Sequence, residues 1–546
     1  MQRRTGILVV LGLLGTLSWG FPMRIDKALA NGNANGKAKN AASSAHDGPW
    51  FDGTVEQGFA AAKRDGKPIL LYWGAVWCPP CNQLKSQVFS QPRFRELVKP
   101  LIAIHIDGDS EDAQSWGERL KIGGYPTVLV LDRSGREILR LDTSVDMDGF
   151  EIALMTALTA GGTINQAIHQ GLAGHASDAE WRMLAYYSWE EAPDLGFDKA
   201  ALLEARARLA ALAPVRLKTA KALLVAAFLD GVANAGNDPA LKAKAEALRP
   251  EASLQLDRLL GDHAAERAAR ALLVYEPAEV ISYLYPKAQA EQQERQAMAK
   301  RWAAAAAQLA ADRNLSVDTR LMATSVPLQL LKLQNPQDKP TPVPPAMRVA
   351  VQKAVAQADH DAQSVYERHA VISDAADLLV QAGDLAGARQ LLDKELKTTD
   401  TPWYYQADYA ALEEQAGHTE AALAWSKAAR ESAKGPATRI QWISNDLLRT
   451  ARLAAPNQDE RLAALVKLYY DTALALPDGF KGRNAARARR VAAQLKPWLA
   501  KPDFRRLVDD YAKRCQTGQG VAPGCAAHFA ALQGEMPATA KPHSGA

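Results

Sequence analysis

The sequence predicts a mixed α/β domain near the N-terminus, followed by a large region built from helices. Between residues 50 and 160, short apolar runs typical of buried strands alternate with amphipathic segments. From residue 171 to about residue 529, alanine dominates and apolar residues recur at helical spacing, without strand-like runs. The 546 residues allow for more than one domain, and this change of pattern places the main division.

Composition argues against several functional classes. The net charge of +4 is too small to favour a nucleic-acid partner, and 48% apolar residues is an ordinary globular value. The sequence contains neither a glycine-rich phosphate-binding loop nor the H-E-x-x-H pattern of metalloproteases. We therefore expect no nucleic acid, no cofactor and no metal.

Residues 1–30 are expected to be a signal peptide that directs export. Arg3 and Arg4 precede an apolar core over Ile7–Leu17, and Ala28-Leu29-Ala30 forms a cleavage site. An uncleaved membrane anchor is the alternative, although the apolar core is short and interrupted by glycine. No later segment is apolar enough to cross a bilayer, so the mature chain is expected to have no membrane span. The signal peptide, together with the C-x-x-C motif described below, predicts a periplasmic protein.

The rest of the chain divides by composition and pattern. The predicted segments are a flexible linker (31–47), the mixed α/β domain (48–160), a helical region (171–334), a Pro-rich connector (335–346), a second helical region (347–530) and a disordered tail (531–546).

Within residues 48–160, helices and strands follow each other in an order typical of a mixed sheet covered on both faces. The predicted elements are a helix from Val55 to Asp65-Gly66, a strand over Ile69–Gly74, a helix over Pro79–Val98, a strand over Leu101–Ile106, a helix over Ala113–Lys121, a hairpin of Thr127–Asp132 with Arg136–Asp142, and a helix over Gly149–Ala160.

The most informative motif is Trp77-Cys78-Pro79-Pro80-Cys81, directly after the first predicted strand. C-x-x-C spacing puts both sulfurs in the first turn of a helix, where the positive helix end stabilises a thiolate. Zinc sites also use this spacing, but the chain has no second C-x-x-C or H-x3-5-H pair to complete one. The motif therefore predicts a redox-active dithiol.

Together with Gly124-Tyr125-Pro126-Thr127 and the hairpin and helix after it, this motif resembles the thioredoxin family, and most closely its periplasmic thioredoxin-like reductase branch. The resemblance covers about residues 50–160 and implies a thioredoxin-like α/β/α domain. Exchange chemistry predicts that Cys78 is the attacking thiol and that Cys81 is the resolving thiol.

The same resemblance implies three residues that bind substrate. Trp77 is expected to shield the dithiol and shape the docking face, with simple packing as the alternative. Pro126 matches the cis-proline of the family, with an ordinary trans proline as the alternative. The backbone of Tyr125 would then pair with an extended client segment.

One departure from the family concerns proton transfer. Tyr72 occupies the position of the usual buried aspartate, and Ala103 occupies that of its lysine partner. Proton transfer to the resolving thiol then needs another route, for which solvent, Tyr72 and Asp107 are the candidates.

The helical region contains one visible internal repeat. Ala382-Gly383-Asp384 and Ala416-Gly417-His418 lie 34 residues apart, and Ala388 then matches Ala422. This period resembles that of tetratricopeptide (TPR) repeats, so the sequence predicts a large all-α, TPR-like helical-repeat region, with a plain helical bundle as the alternative.

Cys515 and Cys525 form a second pair, separated by a glycine-rich loop. A structural disulfide is the favoured interpretation in an exported protein, and a redox partner for the Cys78–Cys81 dithiol is the alternative.

These observations predict a periplasmic thiol:disulfide oxidoreductase, and the family resemblance favours the reductase direction. Its partners would be protein disulfide or dithiol clients and an upstream thiol redox donor. The alternative is a helical-repeat adaptor or scaffold with a weakly active or redox-sensing module.

Overall fold

The computed structural model describes residues 48–534, except 111–112, 192–194, 237, 335–340, 454–457 and 518–521. The predicted signal peptide and linker, the first half of the predicted connector and most of the predicted tail lie outside the described residues.

The N-terminal domain contains four strands and five helices within the described residues. Their bounds are α1 Val55–Asp65, β1 Ile69–Gly74, α2 Pro79–Leu84, α3 Pro92–Leu97, β2 Ile102–Asp107, α4 Ala113–Arg119, β3 Thr127–Leu131, β4 Glu137–Leu141 and α5 Met147–Thr159, with a π-helical turn over Lys85–Phe89 between α2 and α3.

The four strands form one mixed sheet in the order β2-β1-β3-β4. Strand β1 runs parallel to β2 and antiparallel to β3, and β3 runs antiparallel to β4. All six residues of β1 are buried, and their side chains alternate between two cores: Leu70 and Tyr72 face one, while Leu71 and Trp73 face the other. The predicted mixed sheet with both faces covered is therefore confirmed.

The predicted helix over Pro79–Val98 is wrong as a single element. It breaks after the π-helical turn, and α3 starts at Pro92. Gln91 adopts an extended backbone (φ −73°, ψ 136°) because a proline disfavours the helical conformation of the residue before it. Pro92 itself fits the first turn of a helix, where its missing N–H is not needed.

The C-terminal part consists of helices. Their bounds are α6 Ile164–Leu172, α7 Asp178–Ala185, α8 Lys199–Leu212, α9 Lys218–Ala233, α10 Pro239–Leu259, α11 His263–Ala268, α12 Arg270–Tyr275, α13 Pro277–Leu284, α14 Gln292–Ala311, α15 Val317–Leu330, α16 Pro345–Asp361, α17 Val365–Gln381, α18 Leu385–Glu395, α19 Pro402–Gln415, α20 Thr419–Ser432, α21 Pro436–Leu453, α22 Asp459–Ala475, α23 Gly482–Leu495, α24 Pro502–Thr517 and α25 Cys525–Gln533.

The two positions of the predicted repeat have the same local structure. Gly383 joins α17 to α18 and Gly417 joins α19 to α20, with φ values of 80° and 78°. Such positive φ values favour glycine. Ala388 and Ala422, the matching small residues in the second helix of each pair, are both fully buried. The two helix pairs are thus alike, while the assignment to TPR repeats stays a prediction.

The sheet and the helical region share a hydrophobic core. One cluster of buried residues runs from Leu70 in β1 to Leu333 after α15. The free edge of β4 is also paired, because the Asp142 N–H donates to the Tyr186 carbonyl (2.9 Å) and the Ser188 N–H donates to the Arg140 carbonyl (3.0 Å). Residues after α7 therefore close the strand edge that the N-terminal domain would otherwise leave open.

The stability of the helical region is expected to depend on pH through Asp408 of α19. The Ser373 hydroxyl donates to its Oδ2 (2.7 Å), and burial raises the pKa of Asp408 to about 7. The folded chain thus binds this proton more tightly than the unfolded chain, so the stability that Asp408 contributes is lost as pH rises from about 4 through about 7.

An Asp408→Asn variant keeps the shape of the side chain and is neutral throughout this range. We expect its free energy of unfolding, relative to the wild type, to increase between about pH 5 and about pH 8. Denaturant unfolding followed by circular dichroism at both pH values measures this difference, and a difference that stays constant contradicts the assignment.

Candidate redox site

The two cysteines lie at the start of α2, as the sequence predicts. Cys78 is the N-cap, and Pro79 and Pro80 have no N–H to donate, so the first free amide of the helix belongs to Cys81. That N–H donates to the Sγ of Cys78 (3.3 Å). The two residues are joined as a disulfide, with a Cα–Cα distance of 5.1 Å.

The turn that carries Cys78 is fixed from both sides. The Asn82 side-chain amide donates to the Val76 carbonyl (3.0 Å) and ties α2 to the end of the preceding loop. At the end of β1, the Tyr72 hydroxyl lies where a Cβ of residue 74 would stand, so Gly74 is required there. The end of β1 and the loop before α2 are thus both held by side-chain contacts.

Trp77 packs against the helical region and is mostly buried. Its Nε1 donates to Asp109 (2.5 Å), and its ring stacks on Tyr404 of α19 at a centroid distance of 5.9 Å. On its other side the ring makes an edge contact with Tyr125 at 5.5 Å. Trp77 therefore lies beside the dithiol, in contact with the chain's own helices.

The Tyr125–Pro126 peptide bond is cis, as the family resemblance implies. The Tyr125 ring packs against the cluster that contains both cysteines, and the Arg483 guanidinium of α23 lies 4.5 Å above it. Burial raises the pKa of the Tyr125 hydroxyl to about 12. The structure thus brings Trp77, Cys78, Cys81 and Tyr125 together.

The dithiol is closed off from solvent, which no local sequence pattern predicts. Cys78 is only 3% exposed and Cys81 is 0% exposed. We call the part of the helical region that packs over them the cover; it consists of Trp403, Tyr404, Ala429, Ala433 and Trp442. The aromatic residues of α19 and α21 are visible in the sequence. No pattern near them in the sequence indicates that they pack on the C-x-x-C motif.

The surroundings of the site distinguish the predicted routes for proton transfer. Tyr72 is buried, and burial raises the pKa of its hydroxyl, which makes it a poor proton acceptor. Asp107 pairs with Gly74 at the end of β2, and burial raises the pKa of its carboxyl. Solvent does not reach Cys81 in this arrangement, since that side chain is fully buried.

Cys515 and Cys525 are joined by a disulfide with a Cα–Cα distance of 5.7 Å. Both belong to the C-terminal core around α22–α25, and neither belongs to the cluster around Cys78. This disulfide therefore lies in a different core from the dithiol, and its structural role stays a prediction.

A thioredoxin-like family model matches residues 50–133, the part of the chain that carries the sheet and the dithiol. This part of the chain is a thioredoxin-like domain. The full fold is therefore a thioredoxin-like domain with a small mixed sheet, followed by a large all-helical region.

Curated relatives match a short part of the chain. The thiol:disulfide interchange protein DsbD of Salmonella typhi is 30% identical over 80 residues, which cover 14% of this chain and 14% of DsbD. DsbD of Escherichia coli K12 is 29% identical over 80 residues, with the same coverage. The match thus spans about one seventh of the length of these relatives.

Two solved structures are similar to part of the chain. A thioredoxin from Thermus thermophilus is 24% identical and covers 20% of this chain and 86% of its own, with a TM-score of 0.19. The DsbH oxidoreductase is 19% identical and covers 23% of this chain and 94% of its own, also with a TM-score of 0.19. Among the helices of the described residues, none has the length and hydropathy needed for a bilayer span.

Proposed function

We propose that this protein is a periplasmic thiol:disulfide oxidoreductase that acts as a disulfide reductase on protein clients. The observation that carries the proposal is the Cys78–Cys81 pair at the start of α2, where the Cys81 N–H points at the Cys78 sulfur. A hydrogen-bond donor in this position favours the thiolate form of Cys78. The name of the DsbD relatives, thiol:disulfide interchange protein, supports the same chemistry.

In the proposed reaction, the Cys78 thiolate attacks a client disulfide. A bond forms between Cys78 and one client sulfur, and the other client sulfur leaves as a thiolate and takes up a proton. Cys81 then loses its proton and attacks the Cys78 sulfur, which releases the first client sulfur as a thiol. The client gains two electrons and two protons, and an upstream dithiol donor later reduces Cys78–Cys81 again.

Client binding is proposed to use Trp77 and the backbone of Tyr125, both of which pack around the disulfide. We propose that the helical region supplies further contacts to protein partners. The two similar helix pairs, α17–α18 and α19–α20, support a TPR-like surface of the kind that binds peptide segments.

We propose Asp107 as the proton acceptor that serves Cys81. Burial raises the pKa of its carboxyl, so it is a better match to a thiol than an exposed aspartate would be. Its position opposite Gly74, at the carboxyl end of β2, puts it at the same edge of the sheet from which the loop to Cys78 leaves.

The export part of the proposal depends on the N-terminal pattern of Arg3, Arg4 and the apolar core after them. An oxidising compartment also suits the Cys515–Cys525 disulfide in the C-terminal core, which we propose to be a structural cross-link.

A second candidate function is a helical-repeat adaptor whose thioredoxin-like module senses redox state. Two observations favour it: both cysteines are buried under the cover, and Tyr72 replaces the carboxylate that usually serves the resolving thiol. In this case Cys78–Cys81 would change state without rapid turnover.

The reduction potential of the Cys78–Cys81 couple tests the direction of exchange. We expect a value near about −270 mV, as in thioredoxin, measured by equilibration with glutathione buffers and alkylation of the free thiols. A value near about −120 mV, as in a strong oxidant, would reverse the proposed direction.

A further inference from the structure

The dithiol domain is fastened to the helical region at one carboxylate next to the active site. Asp109 follows β2 and accepts hydrogen bonds from the Trp77 indole, from the Thr438 N–H (3.0 Å) and from the Thr438 hydroxyl. Thr438 lies in the first turn of α21. We call the Asp109–Thr438 contact the latch, because it links the neighbour of Cys78 to the cover.

The backbone before α21 is shaped to let the latch form. Gly435 has a φ of +85°, and a Cβ built there would lie 2.7 Å from the Asp109 carboxyl carbon. Any other residue would be strained in this conformation and would also push the carboxylate away. Gly435 thus permits the close approach of the two regions.

The space under the cover is apolar. Cys78 and Cys81 pack there with the uncharged side chains of Ala75, Trp77 and the members of the cover. A disulfide is neutral and fits such a space. A thiolate fits it less well, because burial among apolar side chains disfavours the charged form of a thiol.

The cover also occupies the surface that a client would need. Trp77 stacks on Tyr404, which in turn makes an edge contact with Trp442 at 5.3 Å. Arg483 lies over the ring of Tyr125. Both proposed client-binding residues are therefore in contact with helices of the same chain.

We propose that the cover is an intramolecular occupant of the client-binding face, that it closes on the oxidised dithiol, and that it opens when the dithiol is reduced. This inference rests on the proposed redox function. A dithiol donor reaches the disulfide during a transient opening of the cover and supplies two electrons and two protons, so that the Cys78–Cys81 bond breaks and a disulfide forms in the donor. Cys78 then releases its proton to solvent, and the resulting thiolate favours the open form, in which water and a client reach it.

The test measures how fast dithiothreitol reduces Cys78–Cys81 in the full-length oxidised protein. Samples are quenched with an alkylating agent, and mass spectrometry reports each cysteine separately. Thr438→Val removes the hydroxyl of the latch, and Thr438→Ser is the matched control that keeps it. We expect Thr438→Val to be reduced about tenfold faster than the wild type, because it loses one hydrogen bond to a carboxylate. Thr438→Ser should be reduced at the wild-type rate.

The Cys515–Cys525 disulfide serves as an internal control, since its rate of reduction should be the same in all three proteins. Gly435→Val is a second variant, which should speed reduction of Cys78–Cys81 by displacing Asp109. Equal rates in the wild type and in both Val variants would overturn the latch, even if the wild type still reduces a protein substrate. If the Val variants are reduced faster but no variant reduces a protein substrate, the proposal of the cover is supported and the proposed enzymatic function is rejected.

Hydrogen exchange of the wild type tests the redox dependence. Amides of residues 435–442 should exchange faster after reduction, because the start of α21 leaves the dithiol. Equal exchange in the oxidised and reduced proteins would overturn the coupling between opening and reduction.

Discussion

Replacing Cys78 with serine should abolish the reduction of insulin by this protein with a dithiol donor. A serine hydroxyl does not ionise near neutral pH, so the attacking thiolate is lost and the rate should fall by at least about a hundredfold. Cys78 is the proposed attacking residue, because its sulfur accepts the hydrogen bond from the Cys81 N–H. Insulin precipitation, followed by turbidity, measures the rate above that of the donor alone.

Two further variants serve as controls. Cys81→Ser keeps the attacking thiol but lacks the resolving one, so it should accumulate a covalent adduct with insulin on non-reducing gels. Replacing both Cys515 and Cys525 by serine should lower stability by about 2–3 kcal/mol and leave turnover intact at a temperature where the protein stays folded. If the wild type shows no turnover above that of the donor alone, and so none that depends on Cys78, the adaptor function becomes the better account.

Replacing Trp302 with alanine should cause the largest loss of stability in the helical region. Trp302 lies in α14, is fully buried, and donates its Nε1–H to the Leu273 carbonyl of α12 (2.8 Å). Truncation leaves a large cavity and an unpaired carbonyl, which together should cost about 3–5 kcal/mol. Denaturant unfolding followed by circular dichroism measures the change.

Trp302→Phe separates the two causes. Phenylalanine fills most of the space but has no indole N–H, so the loss should be about 1–2 kcal/mol. If the alanine and phenylalanine variants lose the same stability, the hydrogen bond to Leu273 and not the packing of the ring determines the effect.

Sequence patterns predicted the sheet and the dithiol because both depend on local features. The run Ile69–Gly74 is apolar, bounded by turn-forming residues, and forms β1 with those bounds. C-x-x-C spacing is itself a geometric statement about one helical turn, so the position of Cys78 at the start of α2 followed directly. The helix predicted after it is too long, because Pro92 disfavours a helical backbone at Gln91 and divides the segment.

The burial of the dithiol could not be predicted in this way. The cover comes from residues more than three hundred positions after Cys81, and each of its members reads locally as an ordinary buried residue of a helix. Asp109 and Thr438 are likewise unremarkable in sequence, since a single carboxylate in a loop carries no signal of its partner. Only the packing of the two regions reveals that they meet.

The pairing of residues 186–188 with β4 bears on how freely this domain can be recombined. A fragment that ends at residue 160 would contain the whole sheet of the thioredoxin-like domain. It would lack residues 186–188, which pair with the edge of β4. It would also expose apolar side chains of the sheet, because helices up to α15 belong to the same buried core. In this chain the thioredoxin-like domain and the helical region complete one buried core, so a transplant of either would have to include the part of the other that covers it.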